Sequence, residues 1–132
     1  MEADSGSNPA PISRGAVLVV DDEDQVRQLT RTILEAAGHP VFTAADGDEA
    51  LTIFQERGME IHAVLLDVGM PGMDAAALLE RIQTSRPETR VVVCSGHTDA
   101  EAAGRLGGRQ PAGFLKKPYA PSELLARLKE LW

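Results

Sequence analysis

Four short polar clusters interrupt the apolar pattern of this 132-residue chain, and their side chains are of the kinds that handle phosphate and divalent cations. They are Asp21-Asp22-Glu23-Asp24, Asp67, Ser95-Gly96 and Lys116-Lys117-Pro118. If Asp21, Asp22 and Asp67 meet, a charge problem follows. Two like charges about 4 Å apart repel by roughly 4 kcal/mol at an effective dielectric near 20. Lys117 offsets only part of this, so the set calls for a counter-cation. Hard carboxylate oxygens with no His or Cys beside them select Mg²⁺ or a close substitute, which keeps several waters and welcomes a phosphate oxygen. Three carboxylates, a hydroxyl and an ammonium at one place would form a site for phosphate.

Each cluster alone has a plainer explanation. Asp22 or Asp24 could cap a helix, Asp67 could form the turn before Pro71-Gly72, and Ser95 could cap the fourth helix. Lys117 could be a solvated surface charge, although the proline after it fixes a rigid, non-helical peptide that sets the direction of the ammonium. His97 reads as an exposed loop residue outside the site. The chemical reading therefore depends on a fold that gathers the clusters.

From Ala16 onward, short β-branched runs alternate with longer helical patterns, the signature of successive βαβ units around a parallel sheet. The predicted strands are Ala16 to Val20, Pro40 to Ala44, Ile61 to Leu66, Arg90 to Ser95 and Gly113 to Lys116. The central strands are almost continuously apolar, which requires helices on both faces. The first helix carries Val26, Leu29, Ile33, Leu34 and Ala37 at three-to-four spacing and stops before Gly38. Asp46 can cap a second helix carrying Ala50, Leu51 and Phe54, and Met73-Asp74 precedes a third carrying Leu78, Leu79 and Ile82. The fourth, Thr98 to Leu106, contains Gly104 and runs into Gly107-Gly108, so it is expected to be short or mobile. Pro121-Ser122-Glu123 opens the fifth, whose stripe of Leu124, Leu125, Leu128 and Leu131 runs to the C-terminus. Right-handed crossovers put the carboxyl ends of all the strands on one edge, where open sheets bind ligands, and each polar cluster directly follows a strand.

Composition narrows the functional classes. The length suits one domain, and 43% apolar with 25% charged residues is ordinary for a folded globular chain. A net charge of -7 disfavours phosphate backbones and anionic lipid, so neither nucleic acid nor membrane contact is expected. Cys94 lies in an apolar run and reads as a buried inert thiol; as the lone cysteine it points to a reducing, cytoplasmic setting. Residues 1–15 are rich in Ser, Gly, Pro and Asn and read as a disordered leader or linker before a domain spanning 16–132.

The runs Val19-Val20-Asp21-Asp22, Leu65-Leu66-Asp67-Val68-Gly69-Met70-Pro71-Gly72-Met73-Asp74, Val92-Val93-Cys94-Ser95-Gly96 and Gly113-Phe114-Leu115-Lys116-Lys117-Pro118 resemble the response-regulator receiver family in order and spacing. That resemblance implies a flavodoxin-like α/β fold, (βα)5, with a five-stranded parallel sheet of order 2-1-3-4-5. It implies Mg²⁺ held by Asp22 and Asp67, by Asp21 through water and by the Gly69 carbonyl, with Asp67 as phosphoacceptor. Ser95, Gly96, Lys117 and Val68 would contact the phosphoryl oxygens, while Ser95 and Phe114 would switch the surface of the fourth helix, fifth strand and fifth helix. The implied donor is a histidine kinase or histidine phosphotransfer domain, and any homodimer would pair through that switch surface. The resemblance fits either a single-domain regulator or, as the wording of the chain suggests, the receiver at the end of a hybrid sensor kinase.

Two departures stand out. Ala75 and Gly69 replace residues common in the family, and Gly69 leaves the approach to the acceptor unobstructed. Three other readings compete. A pseudo-receiver would keep the fold as an unphosphorylated binding module. A small Mg-dependent phosphatase would use Asp67 as nucleophile, yet the second Asp expected two residues on is Gly69. A dinucleotide site would want a glycine-rich first turn where this chain has four consecutive acids.

Overall fold

The computed structural model describes residues 15–70, 74–96 and 98–131. The expected leader up to residue 14, the Pro71-Gly72 turn with Met73, and His97 lie outside the described residues. Five strands, β1 Ala16–Val20, β2 Val41–Ala44, β3 Ile61–Asp67, β4 Arg90–Ser95 and β5 Gly113–Lys116, form one parallel sheet of order β2-β1-β3-β4-β5. Five α-helices alternate with them: α1 Asp24–Ala36, α2 Gly47–Arg57, α3 Ala75–Ser85, α4 Asp99–Gly104 and α5 Pro121–Lys129. A 3₁₀ turn, Gly58–Glu60, follows α2.

The strands are apolar on both sides because both sides are covered. Leu18, Val20, Val64, Leu66, Val91 and Val93 face a core with Phe54 of α2, Leu79 and Ile82 of α3, and Ala102 of α4. Val17, Val19, Leu65, Val92 and Leu115 face a second core with Leu34 of α1 and Leu124 and Leu128 of α5. Each fully buried aliphatic side chain of this size contributes about 1.5–3 kcal/mol, which holds the five strand ends in register.

The predicted boundaries move slightly, for local reasons. Pro40 has no N–H and stands outside β2, offering only its carbonyl, which accepts from the Val17 amide at 2.9 Å. β3 runs one residue further and takes in Asp67, paired with Cys94. α1 ends as expected, with Gly38 at φ 95°, a conformation costly for other residues. The fourth helix is six residues long, capped reciprocally by Thr98 and Glu101 rather than by Ser95, and followed by Gly107 and Gly108 at positive φ. α5 stops at Lys129, so Leu131 packs against the core from beyond the helix. The stripe of α1 is only half used: Leu34 is buried, whereas Leu29 is 62% exposed.

Candidate functional site

β1, β3, β4 and β5 are consecutive neighbours in the sheet, so the residues at their carboxyl ends need no long reach to meet. Asp21 follows β1 and donates its amide to Ala44 C=O at 3.1 Å; Asp67 closes β3, Ser95 closes β4, and Lys117 follows β5. The Lys117 amide donates to Ser95 C=O at 2.7 Å, which extends the β4–β5 pairing to the lysine itself. Its Nζ donates to Asp21 Oδ2 at 3.0 Å, Asp67 Oδ2 at 3.2 Å and Glu23 Oε1 at 2.9 Å. Asp21, Asp22 and Asp67 each bring one carboxylate oxygen within 4.8 Å of the others. Asp21 and Asp67 are buried and Asp22 is exposed, so the cluster opens to solvent on one side.

Burial raises the pKa of Asp21, and the charge on Asp67 adds to this; the Glu23 amide, donating to Asp21 Oδ1 at 2.9 Å, and Lys117 work against it. For Lys117, burial alone acts to lower the pKa, but the hydrogen bonds to Glu23 and Asp21 and the charge of Asp67 outweigh it. The ammonium is held protonated. The same contact lowers the pKa of Glu23. One cation thus faces several carboxylates, and the surplus of oxygen donors fits a hard divalent ion such as Mg²⁺. Cys94 is pushed up to about 12, chiefly by burial, so its thiol stays protonated and inert.

The remaining residues named from sequence fall around this cluster. Asp67 Oδ1 accepts from the Gly69 amide at 2.8 Å, whereas the Val68 amide donates to Cys94 C=O at 3.1 Å. Ser95 is buried at the end of β4. A Cβ on Gly96 would meet no atom within 4 Å, and one on Gly69 would come within 3.3 Å of Asp67 Oδ1. Phe114, paired with Val93 across β4 and β5, is half-buried against the core that holds Leu79 of α3 and Ala102 of α4. Neither Asp22 nor Asp24 is the N-cap of α1; that position is Glu23, whose side chain makes no cap bond.

Several contributors were not singled out from sequence. Glu23 is one. Arg27 donates to Asp21 C=O at 2.7 Å, and Arg105, just past α4, donates to Val68 C=O at 3.1 Å. Thr30 of α1, 1% exposed, shares a 2.9 Å hydrogen bond with the hydroxyl of Tyr119, two residues past Lys117. Glu23 alone carried a signal, as a glutamate in an acid run at a strand end; Arg27 reaches back six residues to a backbone carbonyl, and the Arg105 and Thr30–Tyr119 contacts span 37 and 89 residues.

Tyr119 gives a pH-dependent expectation. Burial, then the neighbouring Cys94, pushes its phenol up to about 12 from an ordinary 10.0. Above pH 10 the unfolded chain loses this proton while the folded chain keeps it, so stability falls as pH rises toward 12. Allowing for the partial exposure of the ring, the loss by pH 11 is on the order of 1 kcal/mol. Urea melts at pH 8 and pH 11 should show this loss in the wild type and a smaller one in Tyr119→Phe. Equal losses in both would remove Tyr119 as its source.

A cleft of about 720 Å³ opens from Asp67, Gly96 and Lys117 and runs along α1, walled by Val26, Leu29, Ile33 and Tyr119. The exposed half of the α1 stripe therefore borders the acidic cluster. Among the described residues, no helix is long and apolar enough to cross a membrane.

The family model described as "Response regulator receiver domain" matches residues 17–129. Sensor kinase CckA of Brucella abortus is 37% identical over 87% of this chain, which corresponds to 12% of that protein. Probable transcriptional regulator ycf27 of Cyanophora paradoxa is 36% identical over 91% of this chain and 49% of its own length. The chain spans about half or less of these curated relatives. Among solved structures, Vibrio cholerae chemotaxis protein CheY4 aligns with a TM-score of 0.81 at 30% identity, covering 89% of this chain and 98% of that one. A response regulator receiver domain protein from Clostridium thermocellum aligns at 0.80 and 29%, covering 89% and 93%. With the sheet order, the acidic edge and the family match over residues 17–129 in agreement, this chain belongs to the response regulator receiver domain family.

Proposed function

We propose that the domain, residues 16–132, accepts a phosphoryl group on Asp67 from a phosphohistidine donor and relays it as a change of surface. One observation carries this reading: a single ammonium, Lys117, reaches both Asp21 and Asp67 within 3.2 Å inside a group of three converging carboxylates. Phosphoryl transfer asks the protein mainly for position and charge neutralisation. A carboxylate oxygen of Asp67 forms the new P–O bond as the donor's N–P bond breaks, and the imidazole leaves with the electron pair. The Gly69 amide on Oδ1 orients the carboxylate, and Lys117 turns an N–H toward a phosphoryl oxygen. The Ser95 hydroxyl and Gly96 receive the oxygens on the β4 side. Asp21, Asp22 and Asp67, with the Gly69 carbonyl, are the residues to hold Mg²⁺, which when bound supplies charge neutralisation for the phosphoryl oxygens.

Output follows from contacts that only the phosphorylated form makes, and the surface of α4, β5 and α5 is where we expect the change, by way of Ser95 and Phe114. The Arg105 bond to Val68 C=O supports this, since it ties the end of α4 to the residue after the acceptor. The partner is a histidine kinase or phosphotransfer domain in the cytoplasm. Its docking ground is the apolar wall of the cleft, where Leu29 stands exposed beside the route to Asp67. A net charge of -7 argues against nucleic acid as a partner of this domain itself. The chain modifies itself and turns over no separate substrate.

Intact-mass measurement after incubation with phosphoramidate tests the reading. A gain of one phosphoryl group with Mg²⁺, lost when EDTA is present, is the expected result. An unmodified mass under both conditions would leave the receiver fold serving as an unphosphorylated binding module.

A further inference from the structure

The ammonium of Lys117 has three protons and three carboxylate acceptors, on Asp21, Glu23 and Asp67. No donor is left for a phosphoryl oxygen. Two of the acceptors belong to the group that can share a metal ion; Glu23 does not. Its position is also unusual for its type. Glu23 is the N-cap residue of α1, where Ser, Thr, Asp or Asn would bond the first amides, yet its side chain caps nothing and reaches Lys117, 94 residues away, at 2.9 Å. A local preference broken in this way marks a functional site more often than an idle one. The contact is anchored at the lysine, whose side chain is 15% exposed, and free to let go at the glutamate, 62% exposed.

Resting on the phosphoacceptor reading, we infer that Glu23 is a positioning residue that tethers Lys117 in the resting state and must release it for the lysine to engage the phosphoryl group. The tether keeps the ammonium beside Asp67 between phosphorylation events, and it opposes the phosphorylated state because Glu23 and the phosphoryl oxygen compete for one N–H. Replacing Glu23 by Gln keeps the shape and weakens the competitor, so the phosphorylated state gains.

Beryllofluoride, a phosphoryl mimic, separates this from general electrostatics. Its affinity in saturating Mg²⁺, and that of Mg²⁺ alone, are measured by calorimetry for wild type, Glu23→Gln and Asp24→Asn. Asp24 is the neighbouring acid and pairs with Arg27, whereas the ion pairs of Lys117 are with Asp21, Glu23 and Asp67, so its substitution removes the same charge without touching the tether. The tether predicts beryllofluoride binding about threefold tighter in Glu23→Gln, the scale of an exposed ion pair, with Asp24→Asn close to wild type. Mg²⁺ affinity should change alike in both variants. Equal beryllofluoride shifts in the two variants, or weaker binding in Glu23→Gln, overturn the tether while leaving the phosphoacceptor reading intact. Wild type that fails to bind beryllofluoride at all overturns that reading and the tether with it.

Discussion

With Asp67 replaced by Asn, the chain is expected to take up no phosphoryl group from phosphoramidate or acetyl phosphate at any Mg²⁺ concentration. An amide has neither the charge nor the available lone pair to form the new bond, and losing the nucleophile leaves only binding and neutralisation around an inert position. The substitution is conservative in shape. Asn Oδ1 can still accept the Gly69 amide that Asp67 now holds at 2.8 Å, so the β3–α3 loop keeps its local bond. Failure to fold is therefore not the expected cause of lost uptake, and a urea melt alongside the mass measurement verifies it. The sharper risk is a substitute acceptor, because Asp21 and Asp22 lie within 4.8 Å and Ser95 closes the adjacent strand. Hydroxylamine distinguishes these cases, since it cleaves an acyl phosphate and spares a phosphoserine. Uptake by Asp67→Asn at the wild-type rate would show that Asp67 is not the acceptor.

The parts of this site that could be read from sequence are those set by strand ends. Asp21, Asp67, Ser95 and Lys117 each follow or close an apolar run, and parallel topology then puts them on one edge without any knowledge of side-chain direction. Contacts decided by rotation about a helix were not legible. The three-to-four spacing of α1 groups Leu29 with Leu34, yet one is 62% exposed and the other fully buried, because the helix packs on the sheet through only part of its apolar face. Leu29 instead borders the cleft that opens from Asp67, and Ile33 borders it too while still packing against the core. The Thr30–Tyr119 bond was hidden for a related reason: neither residue stands out locally, and only the packing of α1 beside the Lys117-Pro118 turn brings them together. Glu23 was visible as one acid among four, but its contact with Lys117 depends on side-chain reach across the edge.

Removing the ammonium should separate chemistry from metal binding. In Lys117→Met, which keeps most of the apolar stem, phosphorylation by phosphoramidate is expected to slow by about 100-fold, the scale of losing one preorganised donor from a site of developing charge. Mg²⁺ affinity should hold or increase, because the carboxylates of Asp21 and Asp67 lose a cation that competes for them. The metal-free fold should weaken at the same time. Asp21 and Asp67 are buried, and an acid left without its counter-ion in such a place opposes folding. Solvent reaches the cluster through the exposed Asp22 side, so the loss is expected to be about 1 to 3 kcal/mol, below that of a fully enclosed pair. Saturating Mg²⁺ should return much of it, as a ligand at 100 times its Kd contributes about 2.7 kcal/mol to whichever state binds it. Urea melts with and without Mg²⁺, beside phosphorylation rates on the same samples, measure all three effects. A variant that phosphorylates like wild type would remove Lys117 from the reaction. One that loses Mg²⁺ binding would make the lysine a support of the metal cluster rather than a partner to the phosphoryl group.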